Sequence, residues 1–222
     1  MLAVMMKVSF NEAHFRAHFT EMSPLTYPAP LPSTVAGMFG ALMSWSRSEL
    51  RDKCSDLLFG AKLLGFKGFN TELARIIQYE KGRPVVPFPI MKYELLMEPE
   101  LLIVMAGNEN VINRYLDSLR GGYGYLPYGG RNEYFVRDIE LVGAMRVTYS
   151  MDIQSYAPEN WVTKVDLLDG GWVRLLQVNH NIQDASRWFS FVYGGTLHLK
   201  KEVPVVEGIC LYRFTDFPWC LP

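Results

Sequence analysis

The sequence predicts an α+β protein: a ferredoxin-like domain over residues 1–147, followed by a β-rich lobe over residues 148–222. Three observations predict it. The signals up to Val147 run strand, helix, strand, strand, helix, glycine-rich loop, strand, which is the βαββαβ order. From about Thr148 onward they are mainly strand signals. And 49% of the 222 residues are apolar against 20% charged, enough for a sizeable core and too apolar for a disordered chain.

The first strand is set by Val4, Met6, Val8 and Phe10 alternating with Met5, Lys7, Ser9 and Asn11. The phase then slips to Phe15, Ala17 and Phe19, with His14, Arg16 and His18 opposite. That slip predicts a bulge or break near Asn11–Ala13. Pro28, Pro30 and Pro32 hold the next stretch extended, and Ser33 or Thr34 is placed to cap a helix bearing Val35, Met38, Phe39 and Leu42 at 3–4 spacing. Gly37 and Gly40 weaken that helix by roughly 1 kcal/mol each, so a close approach to its backbone is expected.

Ser48 is read as the cap of a second helix ending near Gly60, with strands over Ala61–Phe66 and Ile76–Tyr79. Lys81-Gly82 reads as a turn, and Pro84, Pro87 and Pro89 as an irregular edge or arm. Met91–Met97 alternates, and Leu101–Ala106 reads as a fully buried strand. Asn108 caps a helix with Val111, Ile112, Tyr115, Leu116 and Leu119 on one face, stopped by Gly121 and Gly122. A strand follows from Tyr134 to Val142. In the second lobe strands are expected at Trp172–Leu176, Trp188–Tyr193, Thr196–Leu199, Val203–Val206 and Ile209–Phe214, with Gly194-Gly195 as a hairpin turn. Ala157–Glu159 is a weak boundary between lobes.

Composition narrows the function. A free-standing nucleic-acid binder shows a basic excess, whereas 22 Lys and Arg here face 23 Asp and Glu. Any such role must come from a local patch or a shared surface. The 13 Phe, 5 Trp and 12 Tyr outnumber the basic residues, as in a subunit with buried faces. The longest apolar runs, Met1–Met6 and Leu101–Ala106, fall far short of the roughly 18 residues of a bilayer span, so no membrane role is expected. Cys54, Cys210 and Cys220 are odd in number and widely spaced, so a reducing cytoplasm is the expected setting. There is no HExxH, no Walker sequence and no paired Cys/His spacing, so neither a metal nor a cofactor is expected.

Two stretches together, Phe15–Met43 and Tyr125–Val147, carry a resemblance. Phe15-Arg16, Pro32-Ser33-Thr34-Val35-Ala36-Gly37 and Tyr128-Gly129-Gly130-Arg131-Asn132-Glu133 resemble the motifs of the Cas-five family, CRISPR-associated members of the RAMP superfamily. The resemblance spans the front two-thirds; nothing specific is recognised beyond Val147. It implies an RRM-like RAMP domain. It also implies a subunit of a type I effector complex (Cascade) that binds the 5′ handle of the crRNA. Such a subunit caps the filament of CRISPR backbone subunits, contacts the large subunit, and meets target DNA only through the complex. In one subtype the same fold cuts the precursor RNA, so a metal-independent endoribonuclease that processes pre-crRNA is the alternative, as is a type III subunit of related fold.

The candidate residues each have a plain alternative. Ser33, Thr34 and Gly37 at a helix start offer amides to a phosphate, or merely cap a packed helix. Gly129, Gly130, Arg131 and Asn132 combine free backbone with a guanidinium, and Tyr123, Tyr125 and Tyr128 offer faces for unpaired bases. The alternative is a glycine turn whose tyrosines pack inward. Arg16 with His14 and His18 forms an RNA-contacting row, or a solvated strand face. His18 or His14 as general base is the enzymatic version of that reading. Lys81 and Arg83 are a thumb reaching along RNA, or a solvated turn. His180 and His198 have no recognisable partner spacing, and Lys200-Lys201 is a charged strand edge.

Overall fold

Strand β1 (Leu2–Phe10) is the centre of the computed structural model, which describes residues 1–20, 23–75, 79–80, 82–84 and 90–217. Its alternation is buried on both faces. Val4, Met6, Val8 and Phe10 enter the main core, while Ala3 and Met5 enter a smaller one with Val206, Ile209 and Leu211. A strand covered on both sides must be central, and β1 pairs antiparallel on each edge. Between Phe10 and the next element the chain changes sheet, which is the break the phase slip predicts. The two-residue β2 (Glu12–Ala13) belongs elsewhere.

Helix α1 (Pro32–Leu42) begins at Pro32, with Leu31 as its cap and no side-chain cap bond. Proline at the first position loses an amide that had no partner anyway. Ser33 and Thr34 therefore sit inside the first turn rather than capping it. Helix α2 (Arg47–Cys54) is capped by Ser46, not Ser48: Ser46 Oγ accepts from the Glu49 amide and the Glu49 carboxylate accepts from the Ser46 amide. It ends well before Gly60, which lies within β3 (Leu58–Gly65), where a β-carbon would stand 2.5 Å from the Cys210 carbonyl. The following strand is β4 (Gly68–Arg75); residues 76–78 and Lys81 lie outside the described residues.

A short ladder, β5 (Tyr79–Glu80) with β6 (Arg83–Pro84), turns at Gly82, whose φ is +78°. Pro87 and Pro89 are outside the described residues, as is Cys220. β7 (Ile90–Met97) pairs with β2 and β4 in a three-stranded sheet. β8 (Glu100–Gly107) is buried almost throughout, as its unbroken apolar run predicts. Asn108 caps α3 (Glu109–Arg120), whose Ile112, Leu116 and Leu119 are buried. β9 (Val136–Arg146) pairs with β1.

The main sheet also receives the last strand of the chain, β15 (Tyr212–Arg213). Its order is β15-β3-β8-β1-β9, every neighbouring pair antiparallel. Helix α1 packs on β3 and β8, and α3 on β1, β8 and β9.

Between β9 and β15 the chain forms a second sheet around one long strand. β10 (Thr148–Ile153), β11 (Tyr156–Pro158), β12 (Val162–Gln177) and β14 (Ile209–Cys210) all pair with β13 (Trp188–Val206), which is 19 residues long. The expected hairpin at Gly194-Gly195 is therefore absent: β13 runs straight through it. The glycines are needed for close approach instead. A β-carbon on Gly171 of β12 would meet the Gly194 carbonyl at 2.2 Å, at the point where the β12–β13 register shifts.

Candidate functional site

After β2 the backbone is not a regular strand, and this decides where its side chains go. Arg16 forms an isolated bridge with Thr26, flanked by Ala17 N to Leu25 O (2.8 Å) and Tyr27 N to Phe15 O (2.7 Å). Phe15 and Ala17 are buried, and Arg16 is exposed. His14 does not share its face. It is 2% exposed, its Nδ1 donates to the Glu94 carbonyl at 2.7 Å, and its ring stands edge-on to Tyr93. Burial, with Arg131 and Arg16 nearby, lowers its pKa below the ordinary 6.5. The expected row of three polar side chains is thus one exposed arginine, one half-buried histidine and one core histidine.

His18 is fixed by Tyr27. The Tyr27 hydroxyl donates to the Gln177 carbonyl at 2.6 Å and accepts from the His18 amide at 3.0 Å. The same hydroxyl lies 2.8 Å from His18 Nδ1, and with its one proton given to Gln177 it accepts there as well, which puts a proton on Nδ1. Burial first, and Arg16 second, lower the His18 pKa below the ordinary 6.5.

These residues line an open groove of ≈ 760 Å³. Arg16 and His18 form one wall, and Ser33, Thr34 and Gly37 on the first turns of α1 form the floor. Tyr128 and Gly130 close a third side. Seven predicted residues from three separate stretches therefore meet in one place.

Tyr125, expected to offer a face to an unpaired base, also lines the groove, and so do Trp45 and Arg47, which carry no such signal in the sequence. Tyr125 is held there because the amides of Gly124 and Tyr125 bond the Leu42 and Ala41 carbonyls (2.7 and 2.9 Å) at the end of α1. That satisfies carbonyls a helix end leaves open. No carboxylate is among the described lining residues. The first turn of α1 carries no acid either, so nothing in that turn offsets the partial positive charge of the helix start. Nothing lies within 4 Å of a β-carbon placed on Gly37, so its face is open to the groove, whereas Gly40 packs against Leu50.

The rest of the Gly129–Asn132 motif does other work. Gly129 and Gly130 do not offer free amides: Gly129 N bonds the Tyr134 carbonyl (2.6 Å) and Gly130 N the Tyr128 carbonyl (2.9 Å). Arg131 lies over Tyr93 at 4.7 Å and Tyr134 at 5.7 Å and pairs with Glu133 at 2.5 Å. Its guanidinium is engaged with protein and does not line the groove. Asn132 is exposed beside it, also outside the lining. Arg83 is exposed next to Gly82, on the short ladder.

Two further histidines find partners that chain spacing hides. His198 places Nδ1 2.7 Å from Asp152 and Nε2 2.8 Å from Asp166, which raises its pKa. His180 bonds the Ser186 carbonyl and the Ile182 amide and packs on Phe189. Lys201 sits over the Trp161 ring at 3.4 Å. Among the described residues no group of three His, Cys, Asp or Glu is placed to hold a metal, and no helix is long and apolar enough to cross a membrane.

No family model matches the chain, and no curated protein does so. Solved structures do. A CRISPR protein from Archaeoglobus fulgidus is 12% identical over 96% of this chain and 100% of its own, with a TM-score of 0.52. A chain of a CRISPR RNA-guided surveillance complex is 14% identical over 91% of both chains, at 0.49. A chain of a type III-B Cmr-beta complex bound to cognate target RNA is 13% identical over 88% of this chain and 86% of its own, at 0.43. Of these, the archaeal protein exceeds a TM-score of one half, and it shows a shared fold.

Proposed function

We propose that this chain is an RNA-binding subunit of a type I CRISPR effector complex (Cascade) and holds the 5′ handle of the crRNA in the groove over α1. The carrying observation is convergence. The Arg16 segment, the Ser33–Gly37 helix start and the Tyr128–Gly130 loop lie far apart in sequence and line one groove, joined there by Arg47, with no carboxylate among the described lining residues. Arg16 and Arg47 are suited to phosphates, and Tyr125, Tyr128 and Trp45 to unpaired bases. The fold shared with the archaeal CRISPR protein supports the same reading.

The order β3-β8-β1-β9, with α1 and α3 in the two crossovers, supports a ferredoxin-like RAMP domain over residues 1–147, with a β-rich lobe after it. Exposed Tyr149, Met151 and Leu168 leave apolar surface for neighbouring backbone and large subunits. Charge near neutrality fits a subunit whose few arginines meet RNA while its neighbours supply the rest. Arg83 and Lys81 would extend the RNA contact as a thumb, with target DNA met through the assembled complex.

The test is to purify the assembled complex with Arg16→Ala and Arg47→Ala together. Loss of most copurifying crRNA, with the subunit still incorporated, is expected. Full crRNA retention would sink the site.

One observation favours a second reading, a metal-independent endoribonuclease. His18 lines the groove, and its burial favours the unprotonated ring that a general base needs. His14 cannot share that role from the core. Cleavage of repeat RNA in EDTA, abolished by His18→Ala, would establish it; an intact RNA after prolonged incubation with folded protein would dismiss it.

A further inference from the structure

Glu94, a residue of another sheet, holds the groove wall carrying Arg16 from behind at several points. Glu94 stands in the middle of β7, paired with Thr71 of β4. Its carboxylate accepts from the Thr26 amide at 3.0 Å. Its backbone amide donates to the Pro24 carbonyl at 3.0 Å, and its own carbonyl accepts from His14 Nδ1 at 2.7 Å. Every polar group of Glu94 therefore reaches the segment 14–26, on both sides of Arg16. The same carboxylate pairs with Arg174 of β12 at 2.8 Å, with both side chains about four-fifths buried. Arg174 in turn lies over the Phe69 ring of β4 at 4.8 Å.

Thr26 is the bridge partner of Arg16, and its Oγ1 accepts from the Phe15 amide at 2.9 Å. The segment has no regular strand pairing of its own, so its position depends on these attachments. A charge-assisted bond from a mostly buried carboxylate is the strongest of them.

We infer that Glu94 is a positioning residue for the groove: through Thr26 it sets where Arg16 stands, and it ties that wall to the three-stranded sheet and to β12. Glu94 touches no ligand in this scheme. The inference rests on the reading of the groove as an RNA site.

The experiment measures binding of a labelled single-stranded RNA of handle sequence to the full chain at several salt concentrations, with thermal midpoints recorded alongside. Each phosphate contact contributes roughly 0.7 to the slope of log affinity against log salt for a single strand. Arg16→Ala is expected to remove about one such contact. Glu94→Ala is expected to weaken binding about tenfold and to lower the same slope, because a displaced Arg16 is an absent one. Glu94→Gln keeps an acceptor for Thr26 without the charge, and should cost roughly two- to threefold. In the Arg16→Ala background both substitutions should add little, since the contact they position is already gone.

A purely structural role would lower the thermal midpoint, leave the slope unchanged and add in full to Arg16→Ala; that result overturns the inference while leaving the groove assignment standing. Equal losses for Glu94→Gln and Glu94→Ala would also overturn it, because the bond to Thr26 that glutamine keeps would then contribute nothing to placing Arg16. An Arg16→Ala protein with unchanged affinity and slope would refute the groove reading itself, and the inference with it. If Glu94→Ala does not fold, the slope and non-additivity of Glu94→Gln decide the matter.

Discussion

Gly130 packs its α-carbon directly against the His14 carbonyl: a β-carbon at Gly130 would stand 2.0 Å from that oxygen, and its φ of +90° suits glycine alone. Since His14 N also bonds the Gly129 carbonyl at 2.8 Å, this contact joins the glycine loop to the segment carrying Arg16.

Gly130→Ala should therefore destabilise the fold by roughly 2–4 kcal/mol, combining backbone strain with a clash against main chain that cannot swing aside. Urea unfolding checks this. A midpoint equal to wild type would mean the loop is free to move.

Gly37→Ala should do the opposite. A helical glycine with open space around it gives way to alanine with a gain of about 0.5–1 kcal/mol. If RNA backbone lies against this turn, the same variant should be more stable and yet bind RNA more weakly. Thermal unfolding and RNA titration of one preparation separate the two effects.

Tyr125 is 69% exposed at the groove, with its amide anchored and its ring uncovered. Tyr125→Ala should cost about 1–3 kcal/mol of RNA affinity if a base stacks there, and almost nothing in stability. Unchanged affinity would remove Tyr125 from the site.

His198 gives a pH signature. Hydrogen bonds to Asp166 and then Asp152 raise its pKa above the ordinary 6.5, while Lys164 and then His198 lower that of Asp166 below 3.8. The histidine's contribution is fully present below its unfolded value and fades as pH rises through its raised folded value. That of Asp166 is present above its unfolded value and fades as pH falls through its lowered one. The destabilisation caused by His198→Gln should thus be greatest between about pH 4 and pH 6.5 and shrink as pH rises through the histidine's raised value. A stability difference that does not change with pH would show that the pair carries no ionic component.

Much of the groove was legible because its parts carry local signals. Pro32 ahead of a small-residue helix marks the floor, and Tyr128-Gly129-Gly130 marks a loop that turns tightly. What was not legible depends on pairings between distant residues. Arg47, one residue after the Ser46 cap, reads as an ordinary solvated helix residue until α1 is set beside it. The alternation of His14, Arg16 and His18 suggests one face, but β2 ends at Ala13 and the backbone beyond follows bridges rather than a ladder. Arg131 looks like a phosphate ligand in a glycine loop, and two tyrosines, one of them 38 positions earlier in the chain, claim it instead. Gly194-Gly195 reads as a turn because sequence does not distinguish glycine needed for a bend from glycine needed for two strands to touch.

β13 has a consequence for how the chain acquires its structure. β10 and β11 precede it by 30 residues or more, β12 by one loop, and all three take their partner from it. During synthesis, residues 148–177 therefore emerge as unpaired edges and wait until residues 188–206 have followed. Such late, distant pairing slows folding and leaves exposed strands open to misassociation. The edge of the main sheet waits longer still, because β15 closes on β3 from more than 140 positions away. Refolding of the isolated chain should accordingly be slow and concentration-sensitive, with losses that a folding partner arriving early could prevent.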